Sequence, residues 1–425
     1  MILLIVSMLL LLVLGVRIAY AIGVSSLLYI VFCTDISPMV VAQQISAGSD
    51  SIVMIALPFF LLAGELMNAG GITHRLVRFA MSLIGSIKGG LSFVVVLTNL
   101  IMAAVSGTAI GSGAAIGSVM IGAMEEKGYP KGFAGAVNAA AATIGPVLPP
   151  SVGFIIYASV SNASVGKLFV AGIIPGLVLG LGIMVACFFI SRKRNFPSGD
   201  KISLKEVKAS FKGAIWSLLM PVIMIGGIMS GMVTATEAGV IAVAYGLVLG
   251  IWVHKDIKIK MLPAILTKAA KQTARIMIII ANAAAFGWII SREVEPQAFV
   301  EGVLFITRQK WIFMLLIICV FIVVGTVMEG GSIMIIFTPL LLPILQTFGI
   351  DIVHFGVVFQ LTIMLGLITP PVGILLFVIS GVGNVDVKDM LKNIWPFYIV
   401  IMVAIFLCAY IPDISLLLVH SFQLK

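Results

Sequence analysis

The sequence predicts an all-α polytopic membrane protein built as two inverted repeats, each with a re-entrant helical hairpin and a broken helix. Three observations carry this. Of the 425 residues, 61% are hydrophobic and 10% charged, against about 25% charged in an ordinary soluble domain, and the mean hydropathy is +1.22. Distinctive segments recur at an offset of 220 to 222 residues. Corresponding polar loops of the two halves differ sharply in basic content.

A membrane-crossing helix needs about 20 mostly apolar residues. Such runs lie near 1–17, 18–33, 51–70, 132–160, 169–190, 214–232, 233–253, 276–291, 355–380 and 394–411. The run 1–17 has no basic residue ahead of its apolar stretch, so it reads as a retained helix rather than a signal peptide. Two further apolar stretches, 89–124 and 311–345, hold Gly/Ser/Thr-rich breaks at Ser106–Gly113 and Gly325–Ser332 and read as re-entrant hairpins.

The repeat is visible in Pro149-Pro150-Ser-Val-Gly153 and Asn162, which recur as Pro370-Pro371-Val-Gly373 and Asn384, with Gly107-Thr108 matching Gly325-Thr326. The chain divides into repeat 1 (1–190), a linker (191–213), repeat 2 (214–412) and a C-terminal tail (413–425). Within them lie hairpin 89–124 and broken helix 132–160, then arm 254–275, hairpin 311–345 and broken helix 355–380. The arm 34–50 has no Lys or Arg, whereas its counterpart 254–275 has six. The loop 72–88 carries Arg75, Arg78 and Lys88 with no acid, whereas 293–310 offsets Arg308 and Lys310 with Glu293, Glu295 and Glu301. By the positive-inside rule the repeats are inverted. Threading the linker to the cytoplasm puts 21 of the 26 Lys and Arg on that side, with both termini outside. The lysine-studded arm 254–275 reads as an amphipathic helix in the headgroup layer.

Inside hydrocarbon, irregular backbone survives only where it lines a cavity or is buried in protein. The two hairpin tips and the two proline breaks, Gly145–Pro150 and Gly366–Pro371, are four such places. Proline frees carbonyls by removing a hydrogen bond, and freed carbonyls suit a small hard cation. One expected sodium site uses Ser106, Gly145, Leu148 (through its carbonyl) and Pro149; its mate uses Gly325, Gly366, Thr369 and Val372. A lone Gly or Pro ordinarily marks a kink in packed helices, but four breaks in repeat-equivalent places outweigh that reading. Charged residues in apolar spans are costly and point to function. Glu329, in the second tip, is a candidate for the substrate site, to help hold a cation or to fix the hairpin by pairing, and Arg292 is a candidate partner for a substrate carboxylate, with a snorkelling interface arginine as the alternative. Thr108, Ser112 and Asn138 are candidate hydrogen-bonding partners of substrate, with helix packing as the alternative.

Other chemistry finds little support. Four cysteines without CxxC spacing suggest neither disulfides nor zinc. The glycine-rich tip lacks the Gly-Lys-Ser/Thr ending of a phosphate loop. Four scattered histidines make no triad, so an enzyme is not expected. The net charge of +9 reflects contact with the lipid bilayer rather than nucleic acid.

Two repeats with a Gly-Thr hairpin and a downstream Pro-Pro break resemble the large membrane subunit of tripartite ATP-independent periplasmic (TRAP) transporters. The stretches that carry the likeness are Pro58–Met67, Ala139–Ser151 and Gly366–Gly373, and it covers essentially the whole chain, most like the sialic acid transporters. The resemblance implies an elevator-type transporter in a bacterial inner membrane, N-terminus periplasmic, driven by two or more sodium ions. It implies as partners a small four-helix membrane subunit and a periplasmic substrate-binding protein, and as substrate a carboxylate such as sialic acid. Arg292 and Glu329 fall on polar positions expected in the central cavity, although Asp is usual where Glu329 stands. A stand-alone sodium-coupled dicarboxylate carrier is the alternative; a membrane enzyme or channel is the reading of a different class.

Overall fold

The computed structural model describes residues 2–50, 52–199, 203–293 and 296–422. Glu295, counted above in the loop 293–310, lies outside the described residues. The first half holds α1 (Ile2–Val13), α2 (Ile18–Cys33), α3 (Met39–Ser49), α4 (Ile52–Ala69), α5 (Ile72–Ile84), α6 (Gly90–Ser106), α7 (Ala109–Glu126), α8 (Lys131–Ala142), α9 (Val152–Ser161) and α10 (Val165–Lys193). The second holds α11 (Leu204–Met229), α12 (Ala235–Val248), α13 (Leu262–Glu293), α14 (Pro296–Ile306), α15 (Lys310–Gly325), α16 (Gly330–Thr347), α17 (Ile352–Leu367), α18 (Ile374–Gly383) and α19 (Val387–Tyr410), and α20 (Asp413–Ser421) follows. Six of these helices, up to eight if bent pairs count as one, are long and apolar enough to cross a membrane among the described residues. Among the described residues every regular element is a helix.

From the hairpins onward the two halves keep the offset read in the sequence. The starts of α6, α7, α8, α9 and α10 are followed 220 to 222 residues later by those of α15, α16, α17, α18 and α19. Contacts between the halves are exchanged. Helix α7 packs on α18 and α16 packs on α9, so the second leg of each hairpin leans on the helix after the other repeat's break. Likewise α12 packs on α4 and α13 on α2, and α8 lies on α19 as α17 lies on α10.

The centre is made by helices that are apolar all round, as helices buried on every side must be. From Val353 to Leu367 every residue of α17 is buried, and so is every residue of α8 from Gly132 to Ala142. The run of alanines at 139–142 gives α8 the slim surface that lets helix backbones approach closely without lipid between them. Outer helices instead turn Leu10, Leu181, Phe189, Val222 and Ile399 outward, as a lipid-facing surface requires.

Three segments read as polar loops are helical. Helix α3 fills the arm 34–50, α5 the basic loop 72–88, and α14 the loop 293–310. Each is short and carries polar residues on part of its surface, which conceals the helix from a search for 20-residue apolar runs. The predicted division between an arm at 254–275 and a span from 276 is replaced by a single 32-residue helix, α13, entered through a 3-10 turn at Ile259–Met261. Lys268, Lys271 and Arg275 are good helix formers, so the change from basic to apolar sequence changes the helix's surroundings and leaves its backbone unbroken. Lys268 Nζ pairs with Glu65 Oε2 of α4 at 2.7 Å. The tail 413–425 folds as α20, where Ser415 Oγ lies 2.8 Å from His354 Nδ1.

At the turn between α4 and α5, Arg75 pairs with Asp256 at 2.7 Å and donates to the Gly70 carbonyl at 2.9 Å. His254 adjoins this pair; burial and then the Arg75 charge hold its imidazole below its usual value of 6.5. The folded state therefore binds fewer protons than the unfolded chain below that value, and stability falls as pH drops through 6.5. Replacing His254 by Gln should flatten the loss of melting temperature as pH falls below about 6.5, read by thermal denaturation in detergent.

Close packing at one glycine gives a second test. A Cβ at Gly366 would stand 2.6 Å from the Gly325 backbone, whereas at Gly381 it would meet nothing within 4 Å. Gly366→Ala should cost about 1–3 kcal/mol through overpacking, and Gly381→Ala, in a helix, should cost nothing. Equal melting temperatures for the two variants would contradict the close approach.

Candidate functional site

Each hairpin tip is fastened to the broken helix of its own repeat. Helix α6 ends at Ser106; Gly107, at φ +60°, reverses the chain, and Thr108 caps α7 by accepting from the Gly111 amide at 3.2 Å. The left-handed turn and the near contact with the Pro150 carbonyl, which a Cβ would strike, both require glycine at 107. In the second repeat α15 ends at Gly325 and the chain turns through Thr326.

The fastening is the same in both halves. The Val152 amide donates to the Gly107 carbonyl at 3.3 Å, and the Gly373 amide donates to the Thr326 carbonyl at 3.2 Å. Each donor follows a Pro-Pro pair joined by a cis peptide bond, Pro149-Pro150 and Pro370-Pro371. The glycine that opens each break lies on the tip: Gly145, whose Cβ would be 2.9 Å from the Thr108 carbonyl and 3.0 Å from Ser112 Oγ, and Gly366 on Gly325.

Eight residues were expected to hold sodium. The structure gathers Ser106, Gly145, Leu148 and Pro149 around the first tip and break, and Gly325, Gly366, Thr369 and Val372 around the second. Among the described residues no hydrogen-bond donor reaches the carbonyls of Gly145, Leu148, Pro149, Gly325, Thr369 or Val372, while the Gly366 carbonyl accepts from the Thr369 amide at 2.9 Å. The hydroxyls are partly engaged, Ser106 donating to the Thr108 carbonyl at 3.3 Å and Thr369 to the Leu365 carbonyl at 2.7 Å, which leaves their oxygens acceptor capacity. Neutral carbonyl and hydroxyl oxygens of this kind are ligands for hard cations.

The two units differ in exposure. Ser106, Gly145, Leu148 and Pro149 are all buried; in the second unit Gly325 and Gly366 are buried, Thr369 is half-buried, and Val372 is exposed together with Pro370, Pro371 and Glu329.

The residues named for substrate occupy three places. Thr108, Ser112 and Asn138 form a polar seam from the first tip to α8. Ser112 Oγ donates to the Thr108 carbonyl at 2.8 Å, and Asn138 Nδ2 donates to the Gly113 carbonyl at 2.8 Å while its Oδ1 accepts from Asn99 at 3.3 Å. Asn138 is fully buried. Glu329 takes the N-cap position of α16, where it accepts from Ser332 Oγ at 3.4 Å. Arg292 stands elsewhere, at the end of α13: its Nε is 3.9 Å from Glu293 and its guanidinium lies over the Trp288 ring, 5.6 Å from the centroid. Glu293 in turn accepts from Tyr29 Oη at 2.9 Å. Among the described residues no ion pair joins Arg292 to Glu329.

Sequence reading missed Gln360. It is 2% exposed on α17, its Oε1 has no partner among the described residues, and its amide presses on Gly153, just past the first break. The signal was there: a lone amide within the apolar run Phe355–Leu367 is the kind of intramembrane polar residue worth singling out. Asn99 was legible on the same ground.

A helical membrane protein with paired, repeat-related hairpins and broken helices meeting inside it has the construction of a secondary transporter. The family model described as "Tripartite ATP-independent periplasmic transporter, DctM component" matches residues 5–414, and the chain belongs to this family: it is the large permease subunit of a TRAP transporter and not an enzyme. It is 36% identical over 398 residues to the C4-dicarboxylate TRAP transporter large permease protein DctM of Pseudomonas aeruginosa, covering 94% of this chain and 93% of that one. To the sialic acid TRAP transporter large permease protein SiaM of Vibrio cholerae it is 36% identical over 408 residues, 96% of each chain. In fold it is similar to the YdaH transporter of Alcanivorax borkumensis, with a TM-score of 0.64 at 13% identity over 87% of this chain and 86% of that one.

The seam at Asn138 is tested by Asn138→Ala. The variant removes the side-chain donor to the Gly113 carbonyl and the bond to Asn99, whose Nδ2 keeps only the Val95 carbonyl at 2.9 Å, and the unfolding free energy should fall by about 1–3 kcal/mol. An unchanged denaturation midpoint would mean that the seam holds nothing together.

Proposed function

We propose that this subunit couples the entry of sodium to the import of a carboxylate. The observation that carries the reading is the doubled unit in which a hairpin tip, hydrogen-bonded to a Pro-Pro break, leaves carbonyl oxygens without donors. Each unit offers one cation site: Ser106, Gly145, Leu148 and Pro149 in the first, and Gly325, Gly366, Thr369 and Val372 in the second. Bound cations would offset the repulsion an anionic substrate meets near Glu329 and would add the positive charge that a carboxylate needs. Thr108, half-buried at the first tip, supplies a polar group on the substrate's side, braced from behind by the buried Ser112 and Asn138, and Arg292 is the candidate carboxylate partner once the hairpin unit has moved relative to α13.

In this reading α6–α10 and α15–α19 travel as one body, in the manner of an elevator, against a scaffold that includes α2, α3, α4, α12 and α13. The exchanged contacts between α7 and α18 and between α16 and α9 favour a single moving body, because neither hairpin can leave without the other repeat's helix. A small four-helix membrane subunit and a periplasmic binding protein complete the system in a bacterial inner membrane, with the N-terminus periplasmic. Sialic acid is the first substrate to test. A C4-dicarboxylate is the second, since relatives named for each are equally similar to this chain.

The test is uptake of labelled sialic acid, and in parallel of a labelled C4-dicarboxylate, into proteoliposomes holding this chain with its small subunit. It is run with and without the small subunit, an inward sodium gradient and the binding protein, each omitted in turn. Accumulation that needs all three components is the expected result, and Arg292→Ala should abolish it while leaving the protein inserted. Accumulation by this chain alone would instead identify a stand-alone carrier, and sodium-independent accumulation would overturn the coupling.

A further inference from the structure

The joint that leads into each hairpin is covered differently in the two repeats. In the first, α5 is amphipathic, and its buried Ile72, Leu76, Val77 and Ala80 lie beneath α6 and α11. Ser82 Oγ and Ser210 Oγ, 2.7 Å apart, tie α5 to α11. The linker then straps the joint between α5 and α6. The Gly89 amide donates to the Pro197 carbonyl at 3.1 Å, the Gly199 amide to the Gly85 carbonyl at 3.2 Å, and Lys88 Nζ to Asn195 Oδ1 at 2.6 Å.

The repeat mate of α5 is α14, and among the described residues nothing equivalent covers it. Helix α14 packs on α16, but Phe305 is 92% exposed, Ile306 70% and Trp311, the second residue of α15, 55%. The segments Val300–Ile306 and Lys310–Gly325 meet at 102°, so with α15 running into the membrane α14 lies close to the membrane plane. The apolar patch continues down α15 as Leu316, Val320 and Val323, all outward and spaced along one helix face. Beside the bend stand Arg308 and Lys310, both exposed, with Lys310 Nζ donating to the Gly349 carbonyl at 3.3 Å.

We propose that the bilayer surface itself covers α14 and holds the joint of the second hairpin. Aromatic and aliphatic side chains at a bend, a basic residue on either side, and an apolar stripe continuing toward the hydrocarbon match the headgroup boundary in order of depth. Phe305, Ile306 and Trp311 lie just beneath the phosphates, Arg308 and Lys310 reach phosphate oxygens, and Leu316, Val320 and Val323 meet the acyl chains. The hinge of one hairpin is thus clamped by the chain's own linker, and that of the other by lipid.

The test places a nitroxide at Phe305→Cys in a Cys33→Ser, Cys319→Ser background, with the assembled transporter in vesicles of phosphatidylethanolamine and phosphatidylglycerol. Collision rates with oxygen, which partitions into lipid, and with a water-soluble nickel chelate are compared, with a label at Glu301→Cys as the polar reference. The proposal expects the oxygen-to-nickel ratio to be several-fold higher at 305 than at 301. A ratio equal to that at 301 would mean that the face is in water, and an immobilised label sheltered from both reagents would mean that a protein partner covers it; either overturns the proposal. Arg308→Gln with Lys310→Gln should lower the ratio at 305 toward that at 301, and an unchanged ratio would remove the phosphates from the account.

Discussion

The structure depends on one constraint: a backbone amide or carbonyl inside hydrocarbon has no water to turn to and must find its partner within the protein. This chain breaks its own helices four times in its interior, and it meets the constraint by setting each hairpin tip against a proline break. The amides of Val152 and Gly373 reach the carbonyls of Gly107 and Thr326, and the glycines at 145 and 366 allow the approach. What is left over is a small set of carbonyls without donors. In an ordinary core such groups would be a defect; in a transporter they are what a dehydrated cation can use.

The duplication explains why this happens twice, and the exposure explains why the copies are not interchangeable. The first unit lies within the protein, while the second is buried at Gly325 and Gly366 and opens at Val372 and at Glu329, its tip. Thr108 and Glu329 occupy the same N-cap position at the starts of α7 and α16, a neutral hydroxyl in one half and a carboxylate in the other. An acidic N-cap at an exposed tip is favoured by the helix dipole, and it gives the second unit a charge that the first does not have.

Much of this was legible in the sequence because duplication is a strong signal. The recurrence of Pro149-Pro150 as Pro370-Pro371 located the breaks, and the breaks located the tips. Helices α3, α5 and α14 were missed because their polar residues hid them from a search for long apolar runs, and α13 was cut in two where only its surroundings change. Contacts between helices could not be read at all. Whether Asn138 bonds Asn99, whether Arg292 meets Glu293 or Glu329, and whether Gln360 lies on Gly153 depend on how α6, α8, α9, α13, α16 and α17 pack, which spacing along one chain does not determine.

The claim on which the functional account turns is that the donor-free carbonyls of the two breaks hold sodium. The most direct measurement is the melting temperature of the purified transporter as sodium replaces potassium at constant ionic strength. Two sites that bind only the folded protein should raise its stability by about 1.4 kcal/mol per site for each tenfold rise in sodium above the dissociation constant, with no such rise in potassium. The Gly145→Val and Gly366→Val variants should each lose part of that gain. Identical melting curves in the two salts would contradict the account at its centre.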